Sequence, residues 1–293
     1  MRQISITDVT IRQAGKAAGY TLSFREKIEL AKLLDRSGVA AIELPPVANP
    51  RIDSLLIKSV ASAVKRSAVS VPVMLTQESV ETVWAALKEA VHPRLQVAAP
   101  VSAVQMEYLA GKKPAAMIEA VRETVAACRA RCGEVEFMAD DATRADPAFL
   151  CDILHAAIAA GATTVTVCDA AGTMLPGELS EFLRTLCEVV PELDGVTLGV
   201  SCANTLAMAD ACAIAAIGQG ADEVKAAAYC VNTASLGHMA ALLAAKGPEF
   251  GITSTLEQTR MRRILDQAAW MCQTGRSKTS PFDSGVQSEG GTF

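Results

Sequence analysis

The chain has 293 residues, with 27 Lys and Arg against 32 Asp and Glu, three His and nine Cys. A net charge of −5 and a pI near 5.4 leave no basic excess for a phosphate backbone, which argues against a nucleic-acid partner. Hydrophobic residues make up 51%, but no run approaches the roughly 20 apolar residues that span a bilayer. The opening Met-Arg-Gln-Ile-Ser-Ile-Thr lacks the apolar stretch of a secretory signal. The cysteines show no regular spacing and no Cys-x-x-Cys pair, so they read as reduced thiols of a cytoplasmic protein.

Short apolar, β-branched runs alternate with longer helical stretches. Strands are expected at 3–7, 40–44, 71–75, 94–98, 134–138, 163–168, 196–200 and 222–226. Ser23 with Glu26 three residues on is a capping-box pattern that opens a helix over 24–36. Pro114 starts a helix over 114–131 and Gly133 stops it; further helices over 147–160 and 206–217 end at Gly161 and Gly218. Eight strands with intervening helices predict an α/β fold closed into a (β/α)8 barrel, a TIM barrel, rather than a sandwich. A doubly wound open sheet is the alternative, but no Gly-x-Gly-x-x-Gly follows the first strand. The barrel is expected over 1–250. A short C-terminal helical extension over 256–273 lies in a second segment, 251–293, whose Ser- and Gly-rich end from residue 277 reads as a mobile tail or lid. With only 4% aromatic residues, the core is left to Ala, Val, Leu and Ile. In such a barrel the chemistry sits at the C-terminal strand ends.

At those strand ends the sequence resembles a known family. Asp8-Val9-Thr10-Ile11-Arg12 is similar to the Asp-x-Thr-Leu-Arg opening of the DRE-TIM metallolyase superfamily, which holds isopropylmalate, homocitrate and citramalate synthases and hydroxymethylglutaryl-CoA lyase. Gly38-Val39 leading into Ile42-Glu43, Val135-Glu136-Phe137 with Asp140-Asp141-Ala142-Thr143-Arg144, Asp169-Ala170-Ala171-Gly172 with Pro176, and Gly220-Ala221-Asp222-Glu223-Val224 resemble further motifs, in order, over about residues 1–245. The resemblance implies a pyruvate carboxyltransferase-like barrel in which a divalent metal polarises the carbonyl of a 2-oxo acid for attack by an acyl-CoA enolate, or for the reverse cleavage. The family's metal ligands are an aspartate after the motif arginine, two histidines of a His-x-His on strand seven and an asparagine after strand eight. Here Gln13 follows Arg12, Ser201-Cys202-Ala203-Asn204 stands for His-Cys-His-Asn, and the segment 232–238 replaces the asparagine's, with His238 near its position. Gln105 stands where synthases often carry histidine, and Ser284-Gly285-Val286-Gln287 resembles a Ser-Gly-Ile-His. These exchanges leave neutral donors, so no metal and no other cofactor is expected.

Arg12, Glu43 and Asp140 are the expected catalytic residues; the resemblance implies that the arginine, a bidentate fork, holds substrate oxygens and that the glutamate assists the proton chemistry. A buried Arg12–Glu43 ion pair that merely holds the barrel mouth is the structural alternative. Gln13, Gln105, Ser201 and His238 are the expected substrate-binding residues. Cys202 with His238 could form a thiol nucleophile pair, or Cys202 could be a packing residue. His92 and His155 read as structural, and Asp141 with Arg144 as a loop ion pair.

Three functions stay open. The first is an acyltransferase or lyase that makes or breaks carbon–carbon bonds on a 2-oxo acid and an acyl-CoA without the usual metal. The second is a pseudoenzyme, a partner subunit of an intact synthase paralogue. The third retains metal through Glu43, His238 and Gln13. A homodimer is expected from the family's habits. Because the chain stops where leucine-regulated synthases continue into a regulatory domain, feedback of that kind is not expected.

Overall fold

A computed structural model describes residues 1–15, 19–229 and 232–276. Eight parallel strands form the barrel: β1 (Ser5–Asp8), β2 (Ala41–Glu43), β3 (Ala68–Val73), β4 (Pro93–Pro100), β5 (Glu134–Asp140), β6 (Thr164–Asp169), β7 (Thr197–Cys202) and β8 (Glu223–Ala227). Each pairs with the next in sequence. The ring shuts because β8 pairs with β7 through Gly199 and Glu223 and with β1 through Ser5 and Glu223. The helices outside are α1 (Phe24–Asp35), α2 (Pro50–Ala63), α3 (Gln77–Leu87), α4 (Pro114–Arg129), α5 (Pro147–Ala159), α6 (Pro176–Val189), α7 (Ala209–Gly218), α8 (Leu236–Lys246) and α9 (Gln258–Arg276). The closed parallel barrel is the architecture that the strand pattern predicts. Among the described residues, no helix is long and apolar enough to cross a membrane.

Local signals act as the sequence suggests. Ser23 caps α1 with a reciprocal box: its backbone N–H donates to Glu26 Oε2 at 2.8 Å, while its hydroxyl accepts from the Glu26 amide. Two expectations shift. The third strand begins at Ala68 rather than residue 71, because Asp35 accepts from the amides of Lys65, Arg66 and Ser67 and sets the chain into register beside β2. Helix α7 begins at Ala209 rather than residue 206, where Ala207 takes a left-handed turn and Asn204 Oδ1 accepts from the Ala209 amide. The extension expected at 256–273 is α9, packed on α1 and α8. The short strands Arg2–Gln3 and Ile252–Thr253 pair in parallel below the barrel. The tail from residue 277 on, Gln287 included, lies outside the described residues.

The barrel's two faces divide sharply. Alternate strand residues point to opposite sides, and Ile6, Ile42, Val71, Val97, Phe137, Val165 and Val224 form the buried apolar set between strands and helices. The alternate positions carry polar groups, and these meet across the interior. Lys225 Nζ on β8 donates to Glu136 Oε1 on β5 at 2.7 Å and to Glu43 Oε1 on β2. Gln96 Nε2 on β4 donates to both glutamates, at 2.7 and 3.0 Å, and Thr166 Oγ1 on β6 donates to Glu136 at 2.6 Å. One layer below, Arg94 on β4 donates to both oxygens of Glu223 at 2.9 Å, and Thr7 Oγ1 donates to the same carboxylate at 2.8 Å. Gly199 makes this possible, since a Cβ there would lie 2.5 Å from Thr166 Oγ1.

Lys225, Glu43, Glu136 and Gln96 have no exposed surface. Charges so placed are tolerable only when paired, and removing one partner of a buried pair costs about 3–5 kcal/mol. Lys225→Met is therefore expected to destabilise the protein by about that amount in denaturant unfolding, and adding Glu136→Gln to recover part of the loss. A variant as stable as the parent would show that the interior charges are not coupled.

Candidate active site

The short helix Thr10–Gln13 follows β1 directly and carries two site residues over the barrel mouth. Asp8 fixes this turn. Its carboxylate accepts from the Thr10 amide at 2.9 Å, from Thr10 Oγ1 at 3.0 Å and from the Ala228 amide at 2.9 Å, tying β1 to the end of β8. Arg12 Nη1 then donates to Glu43 Oε2 at 2.9 Å. Among the described residues no acceptor takes Nε or Nη2, so that edge of the guanidinium is left for a ligand.

Two cavities open at the mouth and share Arg12 and Asp140 in their walls. The first, about 260 Å³, has a wall of mixed polar and apolar character and includes Gln13, Cys168, Ser201, Asn232 and Thr233. The second, about 490 Å³, is mainly apolar and includes Leu75, Ala98, Pro100 and Leu109, with Gln96 and Gln105. The turn after β5 is held firmly. Asp141 sits in the left-handed region at φ 63° and accepts from Ser102 Oγ at 2.5 Å and from Arg144 at 2.8 and 2.7 Å, the loop ion pair read from the sequence. After β6, Asp169 accepts from Thr143 Oγ1 and from the amides of Gly172 and Met174. Gly172 lies at φ +64°, and a Cβ there would meet the Ala203 carbonyl oxygen at 2.7 Å, so this wall admits only glycine.

The two carboxylates near Arg12 are driven in opposite directions. Burial would raise Glu43, but Lys225 and Arg12 outweigh it and hold it below the usual range. Asp140 is half-buried; burial raises it to about 6 against the pull of Arg12 and of a hydrogen bond with the Cys168 thiol. Of the two carboxylates, Asp140 is thus the one at the cavity surface that titrates near 6. Glu43, fully buried and engaged by Arg12, Lys225 and Gln96, lies beneath Arg12 in the buried ion pair that the sequence offers as the structural alternative.

The structure brings Arg12, Gln13, Asp140 and Ser201 around the first cavity and sets Gln105 in the second. His238 departs from expectation. It lies in the first turn of α8 with its side chain 73% exposed and its Nδ1 2.5 Å from Asp210 Oδ2, and it lines neither cavity. Cys202 is buried, and burial pushes its thiol well above the ordinary value, so the Cys202–His238 nucleophile reading is set aside. Lys225, Gln96 and Cys168 were not singled out from the sequence. Their signal was period-two polar residues inside apolar strands: Arg94-x-Gln96, Glu134-x-Glu136 and Glu223-x-Lys225.

The HMGL-like family profile matches residues 3–272. The chain belongs to this family, the DRE-TIM group. It is 36% identical over 225 residues to a 2-isopropylmalate synthase of Halalkalibacterium halodurans, an alignment that covers 77% of this chain and 44% of the synthase. The chain spans about half the length of the curated relatives it matches. An HMG-CoA lyase structure from Brucella melitensis superposes with a TM-score of 0.73 at 16% identity, over 95% of this chain and 100% of the lyase. The carboxyl transferase domain of Rhizobium etli pyruvate carboxylase, solved with pyruvate, gives 0.68 at 16% identity, over 94% of this chain and 48% of that one.

The family implies a divalent cation at this mouth. The donors here are the Gln13 Oε1, which is buried and unpartnered, the Ser201 hydroxyl and two carboxylates: Asp140, beside a guanidinium, and Asp169, whose oxygens already accept from Thr143 and from the amides of Gly172 and Met174. Asn232 Oδ1 already accepts from the Asn204 amide. Among the described residues no three His, Cys, Asp or Glu side chains cluster to hold a metal ion. The alternative set of Glu43, His238 and Gln13 does not converge. Hard cations take several oxygen ligands, usually with carboxylates, and zinc takes His, Cys or carboxylate, so this donor set is a poor fit.

Asp140 also makes a stability prediction. An aspartate titrates near 3.8 when unfolded and near 6 here. The folded protein therefore holds the proton more tightly, and stability contributed below pH 4 is lost as pH rises through 6. Asp140→Asn is expected to match the parent near pH 3.5 and to exceed it by up to about 3 kcal/mol at pH 7.5. Denaturant unfolding across that range checks it, and a pH-independent difference would refute the assignment.

Proposed function

We propose that this protein forms or breaks a carbon–carbon bond between a 2-oxo acid and an acyl-CoA, in the Claisen manner of the synthases it resembles, and that it does so without a metal at the family position. The observation that carries this reading is the free edge of Arg12, held rigid by Glu43 and facing a cavity in which Asp140 titrates near neutrality. Arg12 grips the substrate carboxylate in a bidentate pair. In the synthetic direction, ionised Asp140 takes a proton from the thioester α-carbon. That carbon adds to the 2-oxo carbonyl carbon, and the carbonyl oxygen takes the proton back from Asp140 as it becomes a hydroxyl. One carboxylate thus serves as base and then as acid, which a value near 6 suits. In the cleaving direction the steps run in reverse. Gln13 and Ser201 bind substrate oxygens and hydroxyls from the cavity wall. The poor fit of the donor set to a divalent cation supports the metal-free part of the reading.

The test is turnover, in both directions, with a panel of 2-oxo acids and acyl-CoA thioesters. The expected outcome is activity that chelator leaves unchanged and that rises with pH through about 6. Arg12→Ala should lower kcat/KM by roughly 10- to 150-fold, the worth of hydrogen bonds to a charged group. Activity that chelator abolishes would overturn the metal-free mechanism. No turnover with any pair, together with stimulation of a co-purifying paralogue, would favour the partner-subunit alternative.

A further inference from the structure

One residue in the wall of the apolar cavity carries a buried polar atom that the fold leaves unsatisfied. Gln96 is fully buried, and its Nε2 donates to Glu43 Oε1 at 2.7 Å and to Glu136 Oε2 at 3.0 Å. Lys225 keeps both carboxylates ionised, so both can only accept. Turning the amide over would set its oxygen against carboxylate oxygens, so chemistry fixes its orientation. Gln96 Oε1 is then left without a hydrogen-bond partner, on a side chain that forms part of a wall otherwise built largely from Pro46, Pro72, Val73, Leu75 and Pro100.

The same cavity includes Arg12, so a ligand with its carboxylate on that guanidinium can extend its remaining carbons past Gln96. A hydrocarbon there would seal the carbonyl oxygen away unpaired, whereas a hydroxyl would satisfy it and gain the apolar contacts as well. An ammonium is disfavoured, because the wall holds two cations, Arg12 and Lys112, against one carboxylate, Asp140. We infer that the substrate carries a hydroxyl on the chain that fills this cavity, donated to Gln96 Oε1: a hydroxylated 2-oxo acid rather than one with a purely hydrocarbon side chain. This rests on the 2-oxo acid reading above and narrows its substrate class.

Binding to the full chain, measured by calorimetry, tests it with matched pairs: 2-oxobutanoate, 2-oxopentanoate and 2-oxohexanoate, each against its terminally hydroxylated counterpart. At the chain length that reaches Gln96, the hydroxylated member should bind at least about fivefold tighter, the lower end of what an unpaired buried acceptor is worth. Gln96→Met, which keeps the volume and removes the acceptor, should bring that ratio to one; the parent's own ratio decides if the variant fails to fold. Equal binding within every pair, or a preference that survives Gln96→Met, overturns this inference and leaves the 2-oxo acid reading standing. Binding of no member at any length overturns both.

Discussion

The ammonium of Lys225, set between Glu43 and Glu136 with no access to water, is the interaction on which this barrel depends. A barrel interior is ordinarily filled by layers of branched apolar side chains. Here the apolar residues are turned outward to the helices, and the middle of the barrel is a lattice of ions and amides. Such a lattice has less tolerance than an aliphatic core, because each missing member leaves a charge with nothing to neutralise it. It also has direction. Each carboxylate oxygen of Glu43 and Glu136 has an assigned donor, and the assignment runs from β8 through Glu43 to the guanidinium at the mouth.

That ordering explains how one mouth can hold two carboxylates of different character. Glu43 lies inside the lattice, where two cations keep it ionised and engaged. Asp140 lies at the lattice edge, where it loses water without gaining a full counter-charge. Environment alone drives two carboxylates of one mouth in opposite directions. Arg12 sits between them, with one nitrogen committed to Glu43 and the opposite edge open.

The fold was legible because its signals are local and repeated: apolar runs, the Ser23–Glu26 cap, and prolines and glycines at helix ends. Arg12, Gln13, Asp140 and Ser201 were legible because position at a strand end is a property of the sequence once a barrel is assumed. What escaped was the identity of partners. Lys225 and Gln96 lie within runs read as apolar strands, and nothing in one strand says which residue of another strand it will face. Glu43 is paired with Lys225, 182 positions along the chain, a partner that its place beside two prolines does not announce. His238 failed for a different reason. A one-residue uncertainty beside a helix start rotates a side chain from the mouth to solvent, where Asp210 takes it.

The ring is also closed late. β8 joins β1 directly, and the ribbon below it links Arg2–Gln3 to Ile252–Thr253, so both seams connect segments more than 200 positions apart in the sequence. As the chain leaves the ribosome, Glu43 and Glu136 emerge long before the cation that neutralises them. Until β8 is in place, the buried carboxylates of the centre lack the Lys225 ammonium, so the interior charges are balanced only when the ring is whole. Closure thus rests on contacts of high sequence separation, the kind that is slow to form.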